Sequence, residues 1–177
     1  MRGLRLNIKL LKEEVEYLNL VFDGRVVFID AIAVFAHLGW KREHRTTREI
    51  DLATTVEENT VDRLVEERKL NKFYERKKYI YYTPRGVKVD LFLYDVNGIP
   101  IQEIYSRSVL SRVGRSEVRI PNQEQLLVMK YRSGRPQDRE DIEVLLRRFH
   151  DRVDWELLNR EYPTESMGLR ALARIMH

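Results

Sequence analysis

Arg45-Thr46-Thr47-Arg48-Glu49-Ile50-Asp51-Leu52 is the stretch on which the reading of this chain turns. From Glu49 to Ala53 acidic and apolar side chains alternate, and a period of two marks a strand whose successive side chains point to opposite faces. Glu49 and Asp51 therefore share one face, and Ile50 and Leu52 the other. Two acids one residue apart on such a strand present their carboxylate oxygens in one direction, an arrangement suited to a divalent metal ion.

On the N-terminal side, Leu11, Val15, Leu18 and Phe22 repeat at helical spacing, which predicts a helix over residues 9–22 closed by the turn at Asp23-Gly24. A buried strand over Arg25–Ile29 follows, then a short apolar helix from Ala31 to Leu38 that stops at Gly39. Trp40 to Arg48 is polar and basic and reads as a loop. On the C-terminal side, Val61, Leu64, Val65 and Arg68 support a helix over residues 57–70. Two strands, 72–82 and 87–94, come next, joined at Thr83-Pro84-Arg85-Gly86 as a hairpin. From Pro121 onward the pattern is helical, with Leu126, Leu127 and Met129 in one segment and Ile142, Leu145, Leu146 and Phe149 in the next. Ser133-Gly134-Arg135-Pro136 separates them. The amphipathic segment from Asp154 to His177 suits packing or an oligomer contact, so a homodimer is compatible with it. The expected fold is α/β: a small mixed sheet flanked by helices over residues 1–120, with a helical subdomain over 121–177 packed on that core.

Composition narrows the chemistry. The 177 residues are 43% hydrophobic, enough to build a core at this length. No cysteine is present, which excludes disulfides, thiolate zinc sites and a cysteine nucleophile. A metal here is therefore held by oxygen or imidazole, and His37, His44, His150 and His177 are too scattered to form a zinc motif. No run of 18 apolar residues occurs, and the first twelve residues scatter Arg2, Arg5, Lys9 and Lys12 among leucines where a signal peptide is apolar. A soluble, cytoplasmic protein without a membrane partner is expected. The 32 basic and 28 acidic residues leave a net charge of +4, compatible with a polyanionic partner such as RNA or nucleotide. Such a density of both signs is also common in thermophile proteins with surface ion-pair networks.

A third acid stands in the strand Lys88-Val89-Asp90-Leu91-Phe92. An acid within a buried strand is costly unless something cationic compensates it. Three carboxylates on adjacent strands can hold two magnesium ions roughly 3.5 to 4 Å apart, one activating an acceptor hydroxyl and one steadying a triphosphate and its leaving group. The blander readings are solvent-facing acids on an edge strand for Glu49 and Asp51, and simple pairing with Lys88 or Arg85 for Asp90.

In order, the chain carries Phe28-Ile29-Asp30-Ala31-Ile32-Ala33-Val34, then Arg45, Thr47, Glu49, Asp51 and Asp90, then Pro121-Asn122-Gln123-Glu124 through Lys130, and Arg135-Pro136-Gln137-Asp138 through Asp141-Ile142. This order resembles the minimal nucleotidyltransferases of the DNA polymerase beta superfamily, especially those related to abortive-infection toxins. The resemblance implies transfer of a nucleoside monophosphate from a nucleoside triphosphate to a hydroxyl acceptor, which would be RNA, a protein or a small molecule. By position, Glu49 and Asp51 would bind both magnesium ions, and Asp90 would bind the catalytic one and help deprotonate the acceptor. Lys130, and Arg45 and Thr47 beside the acid pair, would contact the nucleotide.

Two departures from the pattern stand out. Glu49 occupies a position where the family more often has aspartate, one methylene shorter. Asp30-Ala31 replaces a Gly-Gly turn whose backbone amides approach phosphate. Asp30 is expected to cap the following helix and to add negative charge where the triphosphate sits, unless it joins the metal site itself. Loss of catalysis would leave a nucleotidyltransferase-fold module that binds nucleic acid or a protein partner. A metal-dependent nuclease ranks last, because Lys88-Val89-Asp90 lacks the acid-X-lysine order such enzymes often show.

Three further features are open at this level. Lys130 suits a surface role as well as a catalytic one. Arg135, Asp138 and Asp141 suit charge balance at a helix start. The run Lys72 to Tyr82 interleaves cations with aromatics, and Lys72, Arg76, Lys77, Lys78 and Tyr79 would contact an RNA acceptor, although tyrosines packed on one face of an ordinary strand give the same pattern.

Overall fold

Asn7 opens the first helix by accepting a hydrogen bond from the Leu10 amide at 2.9 Å. That helix, α1 (Ile8–Val21), buries Leu11, Val15 and Leu18 along one stripe. The computed structural model describes residues 7–40, 46–75 and 77–176. Next come β1 (Val26–Phe28), buried throughout, and α2 (Asp30–His37), buried continuously from Ala31 to Ala36. They are followed by β2 (Glu49–Thr54), α3 (Glu58–Glu66), β3 (Asn71–Glu75), β4 (Lys78–Tyr82) and β5 (Lys88–Phe92). A small ribbon, β6 (Asp95–Val96) and β7 (Ile99–Pro100), leads into α4 (Ile101–Ser106) and the hairpin β8 (Val109–Val113) and β9 (Ser116–Ile120). Four helices complete the chain: α5 (Gln123–Ser133), α6 (Pro136–Phe149), α7 (Trp155–Glu161) and α8 (Pro163–Met176).

The main sheet has seven strands in the order β3-β4-β5-β2-β1-β9-β8. It is mixed: β2 runs parallel to β5 and β1 parallel to β9, and the other neighbours are antiparallel. The register sets the site. Across β2 and β5, Glu49 stands opposite Lys88 and Asp51 opposite Asp90. Across β4 and β5, Tyr82 stands opposite Lys88. Directly opposed residues share a sheet face, so Glu49, Asp51, Asp90, Lys88 and Tyr82 all lie on one side. The other side carries Ile50, Leu52 and Val89, all buried in the core.

The α5–α6 junction is built by local chemistry. Gly134 takes the left-handed conformation (φ +65°) that ends α5, and Pro136 occupies the first turn of α6, where its missing N–H costs nothing. The tight turn presents Arg135 and the first turn of α6 to the sheet. Among the described residues, no helix is long and apolar enough to cross a membrane.

The structure corrects the expectation of one strand over 72–82. The chain reverses between Glu75 and Lys78, and β3 and β4 pair antiparallel. Neither Gly nor Pro marks this reversal; Lys77 supplies it by adopting φ +66°, a conformation lysine rarely takes. The region 95–120 carries a helix and two hairpins that the sequence left unassigned.

Candidate active site

β2 and β5 deliver three acids to one point. Glu49, Asp51 and Asp90 each offer a carboxylate oxygen, and the three oxygens lie within 4.8 Å of one another. Like charges at that spacing repel by roughly 3 to 4 kcal/mol per pair at an effective dielectric near 20. Asp51 feels this most. Burial, and then the charges of Asp30, Glu49 and Asp90, push its carboxyl up to about 7, against the opposing pull of Arg135. Lys88 supplies the local compensation: its ammonium donates to Glu49 and, at 3.0 Å, to Asp90. That ammonium bridges Glu49 and Asp90, and an oxygen-only donor set that retains a cation fits a hard divalent ion.

A second cluster lies beside the first. Asp30, Asp138 and Asp141 also bring carboxylate oxygens within 4.8 Å of one another. Here the centre is filled by Lys130, which donates to Asp30 and lies 2.9 Å from Asp138 and 2.6 Å from Asp141. Lys130 is 2% exposed, and Asp138 and Asp141 are fully buried. Arg135 closes the network with bonds of 2.6 Å to Asp138 and 3.1 Å to Asp30. Its guanidinium and Lys130 hold the Asp138 carboxyl well below the usual carboxylate range in spite of burial. The cluster is thus an ion-pair knot that ties α2, α5 and α6 together. Between the two clusters lies a cavity of about 140 Å³ whose wall includes Asp30, Asp51, Lys130 and Arg135.

Asp30 does not cap α2, contrary to the expectation from its position. The N-cap is Ile29, which makes no side-chain cap bond, and the Asp30 carboxylate turns to Lys130 and Arg135 instead. Asp30 also adopts φ +50°, the left-handed region that glycine favours, so the turn keeps a glycine-like backbone at the position where the resembled family has Gly-Gly. The negative charge of Asp30 is offset by the Lys130 ammonium and the Arg135 guanidinium.

The remaining site residues fall as follows. Ala31 is buried at the first turn of α2. Thr47 is 6% exposed and spends its hydroxyl on the Glu49 carbonyl at 2.9 Å, bracing the start of β2. Arg45 and Arg76 lie outside the described residues, as do His44 and His177. The β3–β4 hairpin divides the basic and aromatic run between two faces. Lys72, Tyr74, Tyr79 and Tyr81 share the face opposite the acids, where Lys72 sits 4.2 Å over the Tyr79 ring and bonds Asp62 of α3 at 2.7 Å. Lys78, Phe73 and Tyr82 lie on the acid side, with the Phe73 and Tyr82 rings edge-to-face at 5.6 Å. Lys77 lies in the reversal between the strands. His37, in the last turn of α2, bonds the Pro121 carbonyl at 2.9 Å, a structural role.

Three roles escaped sequence reasoning. Lys88 was weighed only as a partner for Asp90, since its pairing with Glu49 depends on a non-local register. Asp138 and Asp141 read as helix-start charges, whereas burial makes them ligands of Lys130. Phe73 and Tyr82 were hidden by the unseen reversal.

A mixed sheet with three acids on adjacent strands, facing a helical cap, is the architecture of a nucleotidyltransferase. The chain belongs to the family described as "Nucleotidyltransferase of unknown function (DUF6036)", whose model matches residues 6–171. No curated protein matches the sequence. Among solved structures, an antigenic nucleotidyltransferase-like protein from Paracoccidioides brasiliensis superposes with a TM-score of 0.69 at 17% identity, covering 95% of this chain and 88% of that one. A putative nucleotidyltransferase from Helicobacter pylori gives 0.52 at 15% identity, covering 97% and 96%. The antibiotic-resistance factor ANT(2'')-Ia gives 0.51 at 15% identity, covering 94% and 84%. Identities this low establish a shared fold.

Proposed function

We propose that the protein catalyses divalent-metal-dependent transfer of a nucleoside monophosphate from a nucleoside triphosphate to an acceptor hydroxyl. The observation that carries this reading is the convergence of Glu49, Asp51 and Asp90 from two parallel strands, with Asp51 lining a cavity that Arg135 also walls. Glu49 and Asp51, together with Asp90, would hold two magnesium ions, which when bound would supply charge stabilisation to the triphosphate and its leaving group. The acceptor oxygen attacks the α-phosphorus, the bond from that phosphorus to the α,β-bridging oxygen breaks, pyrophosphate leaves, and the acceptor proton passes to the Asp90 carboxylate. The N-terminus of α2, where Asp30 lines the cavity, would favour the phosphates through the positive end of its helix dipole. Arg135 and Lys130 keep the charge of Asp30 from repelling them.

The two sides of the acid cluster differ, and this divides the substrates. Asp30 and Arg135 lie toward β1 and the helices, the side suited to triphosphate. β4 and β3 lie beyond Asp90, where Tyr82 and the half-exposed Phe73 extend the acid-bearing face of the sheet. An acceptor approaching Asp90 passes over these rings, and an unpaired RNA base stacks well on such a pair. Lys78 would meet the RNA backbone, whereas Lys72 and Tyr79 face away.

The test supplies the full-length protein with magnesium, each α-labelled nucleoside triphosphate in turn, and total RNA, protein extract or small hydroxylated compounds. Label transfer that disappears in Asp51→Asn and Asp90→Asn is the expected result. Magnesium binding without triphosphate binding or transfer would instead indicate a catalytically silent module of the same fold.

A further inference from the structure

Lys88 is held by the sheet itself. It stands two residues from Asp90 on the same face of β5 and directly opposite Glu49 on β2, so both of its acid contacts follow from one strand register. Asp51, the most buried of the three acids, is not among its partners. The ammonium therefore occupies the Glu49–Asp90 side of the cluster and leaves the Asp51 side open to the cavity.

Charge decides what can join it. With all three acids ionised, as metal ligands are, one ammonium leaves two negative charges, which a single divalent ion cancels. A second divalent ion entering the same cluster would leave it with two positive charges, an adverse balance until a polyanion arrives. A nucleoside triphosphate is such a polyanion, and it carries a divalent ion with it. The Lys88 side chain is 27% exposed, so its flexible stem can carry the ammonium out to solvent without opening the core; the amine of Lys130, at 2% exposure, has no such path.

We propose that Lys88 is a resident cation that holds one divalent-ion position closed until the triphosphate delivers its own ion and displaces the ammonium. This rests on the assignment of Glu49, Asp51 and Asp90 as metal ligands. In the free protein the site takes up one ion, and with nucleotide it holds two. The arrangement would keep the acids paired in the resting protein and make assembly of the full site dependent on the nucleotide.

The experiment counts bound manganese by calorimetry and electron paramagnetic resonance on the full chain, without and with a nonhydrolysable triphosphate. Wild-type protein is expected to bind one ion alone and two with nucleotide, a comparison that needs no variant. Lys88→Met should bind two without nucleotide, and Lys88→Arg, which keeps the charge, should return to one. Two ions on the free wild-type protein, or an unchanged count in Lys88→Met, would overturn the role of Lys88 while leaving the metal site standing. Absence of any manganese site that Asp51→Asn removes would overturn the metal assignment and the proposal with it.

Discussion

Among the described residues the molecule holds two clusters of three acids, each with its carboxylate oxygens within 4.8 Å, and their surroundings differ. Asp30, Asp138 and Asp141 enclose an ammonium so completely that no ion could enter without expelling Lys130 from the core. In the other cluster Asp51 lines a cavity, Glu49 and Asp90 share a partly exposed lysine, and Asp51 is destabilised as an anion. Acid count and spacing are the same in both; the clusters differ in whether the compensating cation is sealed in the core or partly exposed.

The largest expected effect separates the clusters by stability. Lys130→Met leaves buried acids uncompensated and should destabilise the protein by roughly 3 to 5 kcal/mol, read as a large fall in melting temperature. A melting temperature within a degree or two of wild type would mean that the knot is not a structural element. The complementary substitution acts on function. Asp51→Asn should reduce label transfer by on the order of a thousandfold, the scale of losing a principal electrostatic contact in the transition state, with circular dichroism unchanged.

The same variant should be more stable than wild type when no metal is present. The carboxyl of Asp51 is raised in the folded protein from its ordinary value near 4 to about 7, so the folded state binds more protons than the unfolded state between those values. Stability contributed by this group is therefore full below pH 4 and is lost as pH rises to 7. Asp51→Asn should melt higher than wild type at pH 8 in chelator, by about 1 to 3 kcal/mol, with the gain shrinking toward pH 4. Equal stabilisation at both pH values would show that the gain has another origin.

The smallest effects compare the two faces of the β3–β4 hairpin. Phe73→Ala and Tyr82→Ala should raise KM for an RNA acceptor by about ten- to a hundredfold, the range for a lost base stack, without changing KM for the triphosphate. Tyr79→Ala, on the opposite face, should change neither by more than about twofold. Loss at Tyr79 with none at Phe73 would place the acceptor on the other side of the sheet.

Much of this was written in local pattern. Acid-apolar-acid alternation placed Glu49 and Asp51 on one face, Asp90 stood out as an acid between Val89 and Leu91, and Gly134 with Pro136 marked the α5–α6 turn. What escaped was set by distance or by unusual backbone. Lys88 finds Glu49 across 39 residues and Lys130 finds Asp30 across 100, pairings that no local spacing encodes. The reversal at Lys77 and the turn at Asp30 place side-chain-bearing residues in the left-handed region, so the glycine signal that marks such turns is missing. A buried role for Asp138 and Asp141 was unreadable because acids at the start of a helix usually serve the helix itself.

On the proposed reading the open cluster is a metal-dependent nucleotide site. Titration calorimetry of the purified protein with four nonhydrolysable nucleoside triphosphates, with and without magnesium, tests it most directly. Magnesium-dependent binding of at least one triphosphate, abolished in Asp51→Asn and retained in Tyr79→Ala, is the predicted result. Failure to bind any of the four, or binding that is indifferent to magnesium and to Asp51, would contradict it.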